Sequence, residues 1–321
     1  MKIDYIDDDK EIDMMINTLN RIYFDKVITP YKNSEKIIDM HAHTKYSDGQ
    51  LSPAELIRLA VEKNIGVLAI TDHDTIAGLK NIDRNNSLIV DSGIKIINGI
   101  ELTAQVTKGK MHILGYDIDI NNKDLNNIES TLRDNRFQSV LSVLEQIKRD
   151  YDIRFYYEDI KNMINESHSL GRPELGKLCV KYGYTETVQE AFNKYLNPAK
   201  KKTKQFDRGI KYPKCLELII NSGGIPVLAH PKSLKLEEKE FLILLEDMIK
   251  SGLQGIEVYH SSHTKEEMEY YLSIANKYNL LISGGSDYHG INVKPDVELG
   301  TGINNNIKIK KLSLVDKILN K

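Results

Sequence analysis

The sequence predicts an α/β fold in which about seven parallel strands form a barrel and the connecting helices lie outside it. Short apolar runs alternate with amphipathic stretches over residues 37–120 and again from residue 213 onward, which is typical of βα units. The 321 residues suffice for one barrel or for two domains. Roughly seven strands over this length favour a barrel over an open sheet.

The first βα unit illustrates how each element is predicted. Ile37–Met40 is a short apolar run and therefore a strand, and the helix that follows begins after Ser52. A Ser N-cap, Pro53 at the first helical position and Glu55 three residues after the cap form a helix start signal. In chain order we further expect strands at 66–70, 94–98, 111–116, 225–229, 255–259 and 280–283, and helices at 75–80, 213–221, 237–250 and 265–277.

Two stretches fall outside this alternation and define the expected domains. Residues 1–36 are polar with apolar residues at helical spacing, so we expect an N-terminal helical extension. Over residues 121–212 the strands stop, and Phe137, Val140 and Leu144 mark a long helix. We expect an inserted helical subdomain that recognises the substrate, and a barrel formed by residues 37–120 and 213–321.

Composition excludes several classes of protein. The 44 Lys and Arg against 46 Asp and Glu leave a net charge of −2, which argues against binding duplex DNA through a basic surface. Two cysteines, Cys179 and Cys215, exclude a disulfide scaffold and favour a reducing, cytoplasmic setting. We find neither a signal peptide nor an apolar run near the ~18 residues of a membrane helix, so we expect no membrane partner. The composition predicts no particular oligomeric state.

Histidines and carboxylates cluster at the ends of the predicted strands. The first strand ends in His41-Ala42-His43, where residues two apart point the same way, so both imidazoles can face one ion. The loops after parallel barrel strands share one face, so distant segments can meet there. The candidate ligands are His41, His43, Asp48, His73, Glu101, His112, His230, Asp287 and His289.

A metal centre is the preferred interpretation of this pattern. A lone His-X-His pair is common by chance, and a single strand histidine is usually a hydrogen-bonded core residue. Burying Asp48, Glu101 and Asp287 together without a cation would place repelling carboxylates in a low dielectric. Mixed His and carboxylate ligands suit Mn, Fe or Zn, and nine of them suffice for two or three ions.

Four further residues are candidates for the chemistry. Asp72 flanks His73 and is expected to orient it. His260 and His263 follow the strand at 255–259, so either could give a proton to the leaving oxygen. Arg172 lies in a stiff turn and could bind an anion. The more common role of such an arginine is an exposed surface charge.

These motifs together resemble the PHP superfamily of polymerase and histidinol phosphatase domains. The similarity is greatest to its branch of nucleoside 3′,5′-bisphosphate phosphatases and 5′-to-3′ exoribonucleases. It runs from about residue 37 to about 290 and includes HAHTKYSDG, TDHDT, GIELTA, HILGY, GRPELGKL, AFNKYL, AHP, GIEVYHSSHT and SDYH.

The resemblance implies a distorted (β/α)7 barrel whose carboxyl end holds three divalent ions, Mn, Fe or Zn. It assigns the nine candidate ligands to these ions, with Glu101 as a bridging carboxylate, and it suits Arg172 to a substrate phosphate. Two features depart from the branch: Glu174 stands where a histidine is usual, and residues 197–213 are longer and lysine-rich. Both concern substrate recognition.

The leading hypothesis is a metal-dependent phosphoesterase that acts on small nucleotides or on the 5′ ends of short RNA, with hydroxide held by the ions as nucleophile. A phosphatase of another phosphomonoester, such as histidinol phosphate, is the first alternative, and the helical insertion speaks for the nucleotide branch. A metal-holding interaction module without turnover and a metal-dependent C–N hydrolase are the other two. The complete ligand set speaks against the module.

Overall fold

A computed structural model describes residues 36–106, 108–166, 171–203 and 209–320. The expected N-terminal helical extension, residues 1–36, lies outside these residues except for Lys36 and stays a prediction. Residues 204–208 of the lysine-rich segment also lie outside them.

Seven strands form one sheet in sequence order, as the α/β barrel prediction requires. The sheet nearly closes, because the segment after the first strand pairs with the last: Met40 N donates to Gly284 O at 3.1 Å, and Ala42 bridges Tyr288 in parallel. The predicted fold class is therefore confirmed. The strands are β1 (Ile37–Asp39), β2 (Ile65–Ile70), β3 (Lys95–Ala104), β4 (Met111–Tyr116), β5 (Ile225–Leu228), β6 (Gly255–His260) and β7 (Leu281–Gly285).

The expectation that all strands run parallel is wrong for β4. It pairs antiparallel with β3, where Glu101 faces Leu114, and antiparallel with β5, where Leu114 faces Val227. Only residues 105–110 connect β3 to β4, which is too short for the crossover helix that a parallel neighbour needs. This reversal distorts the barrel on the side where the helical insertion begins.

Helices cover the outside of the barrel. The first begins as predicted: Ser52 Oγ accepts from Glu55 N at 3.3 Å, and Ser52 N donates to Glu55 Oε2 at 2.7 Å. None of the helices in the described ranges is long and apolar enough to cross a lipid bilayer. The helices are α1 (Pro53–Glu62), α2 (Ala77–Lys80) and α3 (Ser87–Ser92), then α9 (Tyr212–Asn221), α10 (Glu238–Lys250), α11 (Lys265–Lys277) and α12 (Ser313–Leu319), with a hairpin of β8 (Val297–Glu298) and β9 (Gly302–Ile303) before the last.

Between β4 and β5 the described chain is helical. The elements are α4 (Lys123–Tyr151), α5 (Tyr157–Glu166), α6 (Arg172–Lys181), α7 (Val188–Ala191), a π-helical turn (Phe192–Leu196) and α8 (Asn197–Lys202). They bury an apolar cluster of their own, with Val143, Ile147 and Leu175 fully inaccessible to solvent. The expected boundaries of the insertion and of the barrel stay predictions.

Candidate metal centre

A buried aspartate fixes the two segments that carry most of the candidate ligands. Asp39, the last residue of β1, accepts hydrogen bonds from His41 N at 3.1 Å, Ser286 N at 2.9 Å and Gly300 N at 2.7 Å. Burial raises the pKa of this carboxyl, and the four hydrogen bonds, one of them from Ser286 Oγ, oppose that shift. The exits of β1 and β7 are thereby held together, with His41 and Asp287 side by side.

Glu101 lies at the centre of the site and is fully buried within β3, three residues before the strand ends. Each of its two carboxylate oxygens contacts ring nitrogens from more than one segment of the chain. Each of the two oxygens could therefore bind a cation. The contacts are His41 Nε2, His43 Nε2 and His73 Nδ1 at 3.3, 3.2 and 3.2 Å from Oε2, and His112 Nδ1 and His230 Nε2 at 2.8 and 2.9 Å from Oε1.

Two further carboxylates complete the cluster. Asp287 Oδ1 lies 3.2 Å from His43 Nε2 and 3.4 Å from His289 Nδ1. Asp48 Oδ1 lies 3.1 Å from His289 Nε2, and its Oδ2 lies 3.9 Å from His73 Nε2. The structure thus brings all nine predicted ligands together, and their role as ligands stays a prediction. Three of the groups with ligand atoms within 4.8 Å of one another are His43, Asp48, His73 and His289; His41, His43, Glu101 and Asp287; and His73, Glu101 and His112.

The hydrogen bonds of His41 leave its Nε2 free to bind a cation. His41 Nδ1 donates to Glu257 Oε1 at 2.8 Å, and the other oxygen of Glu257 accepts from His230 N at 2.7 Å. A carboxylate behind a histidine is a frequent partner of metal-binding imidazoles. Sequence analysis missed Glu257, although a carboxylate in an otherwise apolar stretch of β6 was a usable signal.

The same arrangement recurs at two other histidines. His230 Nδ1 lies 2.9 Å from Ser233 Oγ, whose hydrogen is donated to Lys110 O at 2.9 Å, so the imidazole must be the donor. His289 Nδ1 donates to the carbonyl of Asp287 at 2.8 Å. The Nε2 lone pairs of these rings therefore face carboxylate oxygens, so two hydrogen-bond acceptors lie opposite each other. Such a contact is favourable only if a proton or another cation lies between the two atoms.

Unpartnered buried atoms point to the same conclusion. In the described ranges, His43 Nε2, His73 Nδ1 and Asp48 Oδ1 are buried without a hydrogen bond. Burying a polar atom without a partner costs desolvation free energy unless an ion binds to that atom. The donor set of imidazole and carboxylate groups therefore fits divalent ions of the Mn, Fe or Zn type.

The electrostatics keep the carboxylates charged. Burial opposes ionisation of Glu101, yet the imidazoles of His73 and His112 hold its pKa well below the usual range. Burial likewise opposes the charge of His41, but Glu257, with Glu101 and Asp287, holds the pKa of that imidazole well above its usual range. Protons and metal ions would therefore compete for the same lone pairs.

Asp72, predicted to orient His73, instead holds the loop that leads to Asp48. Its carboxylate accepts from Thr44 N at 2.7 Å, from Thr44 Oγ1 at 2.6 Å and from Ser47 Oγ at 2.6 Å. Burial raises the pKa of Asp72. The hydrogen bonds of the Asp72 carboxylate thus fix the backbone between His43 and Asp48, and any role in catalysis stays a prediction.

The two predicted proton donors occupy different positions. His260 Nδ1 accepts from Ser262 N at 3.0 Å, so its hydrogen is on Nε2, which lies 3.4 Å from Asp287 Oδ2. His263 Nδ1 donates to Val258 O at 2.9 Å, and its ring lies one layer behind His260, at 5.2 Å between centroids. His260 borders the cluster of candidate ligands, whereas His263 packs behind His260.

Arg172 begins α6 in the insertion, where neighbouring side chains fix its position. Its Nη1 donates to Asn197 Oδ1 at 2.8 Å, and its guanidinium lies 5.3 Å from the centroid of the Phe192 ring. Glu174, the departure from the branch pattern, accepts from Gly171 N at 3.0 Å and so caps its own helix. Burial raises the pKa of Glu174, and the charge of Asp48 acts in the same direction.

The chain is similar to known proteins both in sequence and in fold. Residues 39–219 match the PHP domain family. A 5′-3′ exoribonuclease of Haemophilus influenzae is 29% identical over 233 residues, which cover 72% of this chain and 81% of the relative. A 3′,5′-nucleoside bisphosphate phosphatase of Chromobacterium violaceum is 27% identical over 227 residues, 71% of this chain and 78% of the relative. A solved structure from Bifidobacterium adolescentis, assigned to the metal-dependent phosphoesterases, matches this chain with a TM-score of 0.70 at 27% sequence identity. The match covers 89% of this chain and 96% of the chain in that structure.

Proposed function

This chain belongs to the PHP domain family and is a metal-dependent phosphoesterase, and we propose that it acts on small nucleotides. Its substrates in this proposal are nucleoside 3′,5′-bisphosphates or the 5′ ends of short RNA, the substrate types that the names of two relatives state. The observation that carries the proposal is the position of Glu101, whose carboxylate contacts five imidazoles from four separate segments.

We assign the nine clustered residues to three divalent ions, with Glu101 between them. The Nε2 lone pairs of His41, His230 and His289 are free because their Nδ1 hydrogens are already donated. Ions of the Mn, Fe or Zn type would lower the pKa of water and neutralise charge on a phosphoryl group.

The second phosphate of a bisphosphate needs a cation away from the metal cluster, and we assign Arg172 to it. The π-helical turn lets Asn197 N bond to Phe192 O, which aligns Asn197 with Phe192 on one face of the helix. Both residues contact Arg172, so the guanidinium is held in place before a substrate arrives. A pre-positioned, partly desolvated guanidinium binds phosphate more strongly than a mobile one.

His260 is the better placed of the two candidate proton donors. Its Nε2 carries a hydrogen and lies 3.4 Å from Asp287 Oδ2 at the border of the cluster, from where it could protonate a leaving oxygen. Asp72 supports the site by fixing the loop before Asp48. The free, buried thiols of Cys179 and Cys215 support a reducing, cytoplasmic setting.

The proposal is tested by assaying the Mn-loaded protein with adenosine 3′,5′-bisphosphate, short 5′-phosphorylated RNA and histidinol phosphate. Phosphate or mononucleotide release from the first two, lost in Glu101→Gln, is the expected result. The exposed Glu298→Gln, whose partner is the surface residue Lys63, is the matched control and should keep full activity. Turnover of histidinol phosphate alone would contradict the nucleotide assignment, and bound metal without turnover of any phosphoester would indicate an interaction module.

A further inference from the structure

A lysine absent from the sequence predictions reaches the metal cluster. Lys294 lies in the loop after His289, which Gly290 turns back with a φ of +100°. Val293 N and Lys294 N donate to Gly290 O at 3.0 and 2.9 Å, and Asn292 N donates to Gln50 Oε1 at 3.0 Å. A Cβ at position 290 would meet Gln50 Cβ at 2.4 Å, so this turn is fixed tightly against the loop before α1.

The ammonium group of Lys294 contacts one of the candidate ligands. Nζ lies 2.6 Å from Asp287 Oδ2 and 3.5 Å from Asp287 O, and no other polar contact of Nζ occurs in the described part of the chain. Three hydrogens are available on Nζ, so at least one has no acceptor among the residues that the structure describes. The side chain is 36% exposed while that of Asp287 is 12% exposed, so Nζ lies at the border between the cluster and solvent.

Lys294 brings a positive charge to the cluster, because a lysine side chain is ordinarily protonated at neutral pH. Within the described ranges, Lys294 is the only Lys or Arg side chain in an ion pair with a candidate metal ligand. An ammonium group therefore stands beside Asp287 at the border of the cluster.

The two oxygens of Asp287 face different kinds of neighbours, and this arrangement suits the binding of a substrate phosphate. Oδ1 faces the imidazoles of His43 and His289, which are candidate ligands. Oδ2 faces His260 Nε2 at 3.4 Å and Lys294 Nζ, which are both hydrogen-bond donors. A phosphoryl group seated against the cluster would meet these donors on its open side.

We propose that Lys294 binds a non-bridging oxygen of the phosphate that is cleaved, beside His260. This rests on the proposed phosphoesterase function. The competing explanation is that Lys294 only neutralises Asp287 and so supports metal binding.

The test measures binding of inorganic phosphate to the Mn-loaded protein by calorimetry, together with metal content by mass spectrometry. Lys294→Met should weaken phosphate binding about tenfold or more, the scale of one charged hydrogen bond, at unchanged metal content. Lys294→Arg should retain most of the affinity. Lys311→Met, at an 83% exposed position, is the matched control and should change neither quantity.

Unchanged phosphate affinity in Lys294→Met, or a loss of metal with unchanged phosphate affinity per occupied site, would overturn the inference. If Lys294→Met fails to fold, Lys294→Gln replaces it, because it keeps a hydrogen-bond donor without the charge. Binding of inorganic phosphate needs no nucleotide, so the proposal for Lys294 can fail while the proposed substrate class holds, and the reverse is also possible. Phosphate binding that depends on Lys294 in a protein inactive on nucleotides would overturn only the proposed substrate class.

Discussion

The substitution Glu257→Gln tests the role of a carboxylate that hydrogen-bonds to two candidate ligands. Glu257 is fully buried and accepts from His41 Nδ1 and from His230 N at 2.8 and 2.7 Å. A glutamine has the same shape but only one acceptor oxygen. Because His230 N always donates, that oxygen must serve it, and the amide NH₂ then faces His41 Nδ1. The hydrogen of His41 is forced onto Nε2, the nitrogen that faces Glu101.

The expected effect is a loss of metal affinity rather than of fold. Removing the partner behind a metal-binding imidazole costs about 10- to 100-fold in affinity, or about 1.4 to 2.7 kcal/mol. The lost charge matters as well, because Glu257 is ionised: burial opposes its charge, but His41 and His260 lower its pKa to about 2. Glu257→Gln should therefore bind Mn at least tenfold more weakly.

The assay is a competition between the protein and a fluorescent chelator for Mn, with metal content measured after dialysis. Glu298→Gln is the control for losing a carboxylate, because Glu298 is 66% exposed and its ion-pair partner is the surface residue Lys63. Its Mn affinity should equal that of the wild type. Wild-type Mn affinity in Glu257→Gln, with circular dichroism unchanged, would refute the assignment of His41 Nε2 as a metal-binding atom.

Three further predictions concern recognition, pH and metal removal. Arg172→Ala should raise KM for a 3′,5′-bisphosphate about tenfold or more while leaving a simple aryl phosphate nearly unaffected, and equal effects on both would remove the recognition role. Burial lowers the pKa of His263 to about 4, so its contribution to stability is complete above pH 6.5 and is lost as the pH falls toward 4. Between pH 7 and 5 the wild type should lose about 2 kcal/mol more unfolding free energy in urea titrations than His263→Gln, and parallel curves would contradict this. Chelation should lower the melting temperature and Mn should restore it, since ions at 100 times their Kd stabilise by about 2.7 kcal/mol; a melting temperature insensitive to both would exclude a metal centre.

The barrel and the clustering of its site could be predicted because both depend on local patterns. Alternating strands and helices gave the α/β class, and residues such as His41 and Asp287 follow strand ends, which share one face of a parallel barrel. The direction of β4 could not be inferred from its apolar pattern, which is the same in either direction. The short connection of residues 105–110 was the feature that decided it.

The residues around the candidate ligands were harder to predict because their roles depend on contacts between distant segments. Glu257 is separated from His41 by 216 positions, and nothing near it in the sequence indicates that pairing. Asn197 contacts Arg172 only because a π-helical turn sets its direction. Lys294 reaches Asp287 through a turn that depends on the fit of Gly290 against Gln50.

The helical insertion leaves from β4 and returns to β5, and these two strands pair directly with each other. His112 Nδ1 and His230 Nε2 are consequently 3.3 Å apart although 118 positions separate them. Both ends of the insertion are thus fixed at the cluster itself, and the length of chain between them does not set their separation. Its first helix also contacts the barrel beside the cluster, because Arg136 Nε donates to Asp74 Oδ2 at 3.0 Å, so a change in that helix would reach the loop that carries His73.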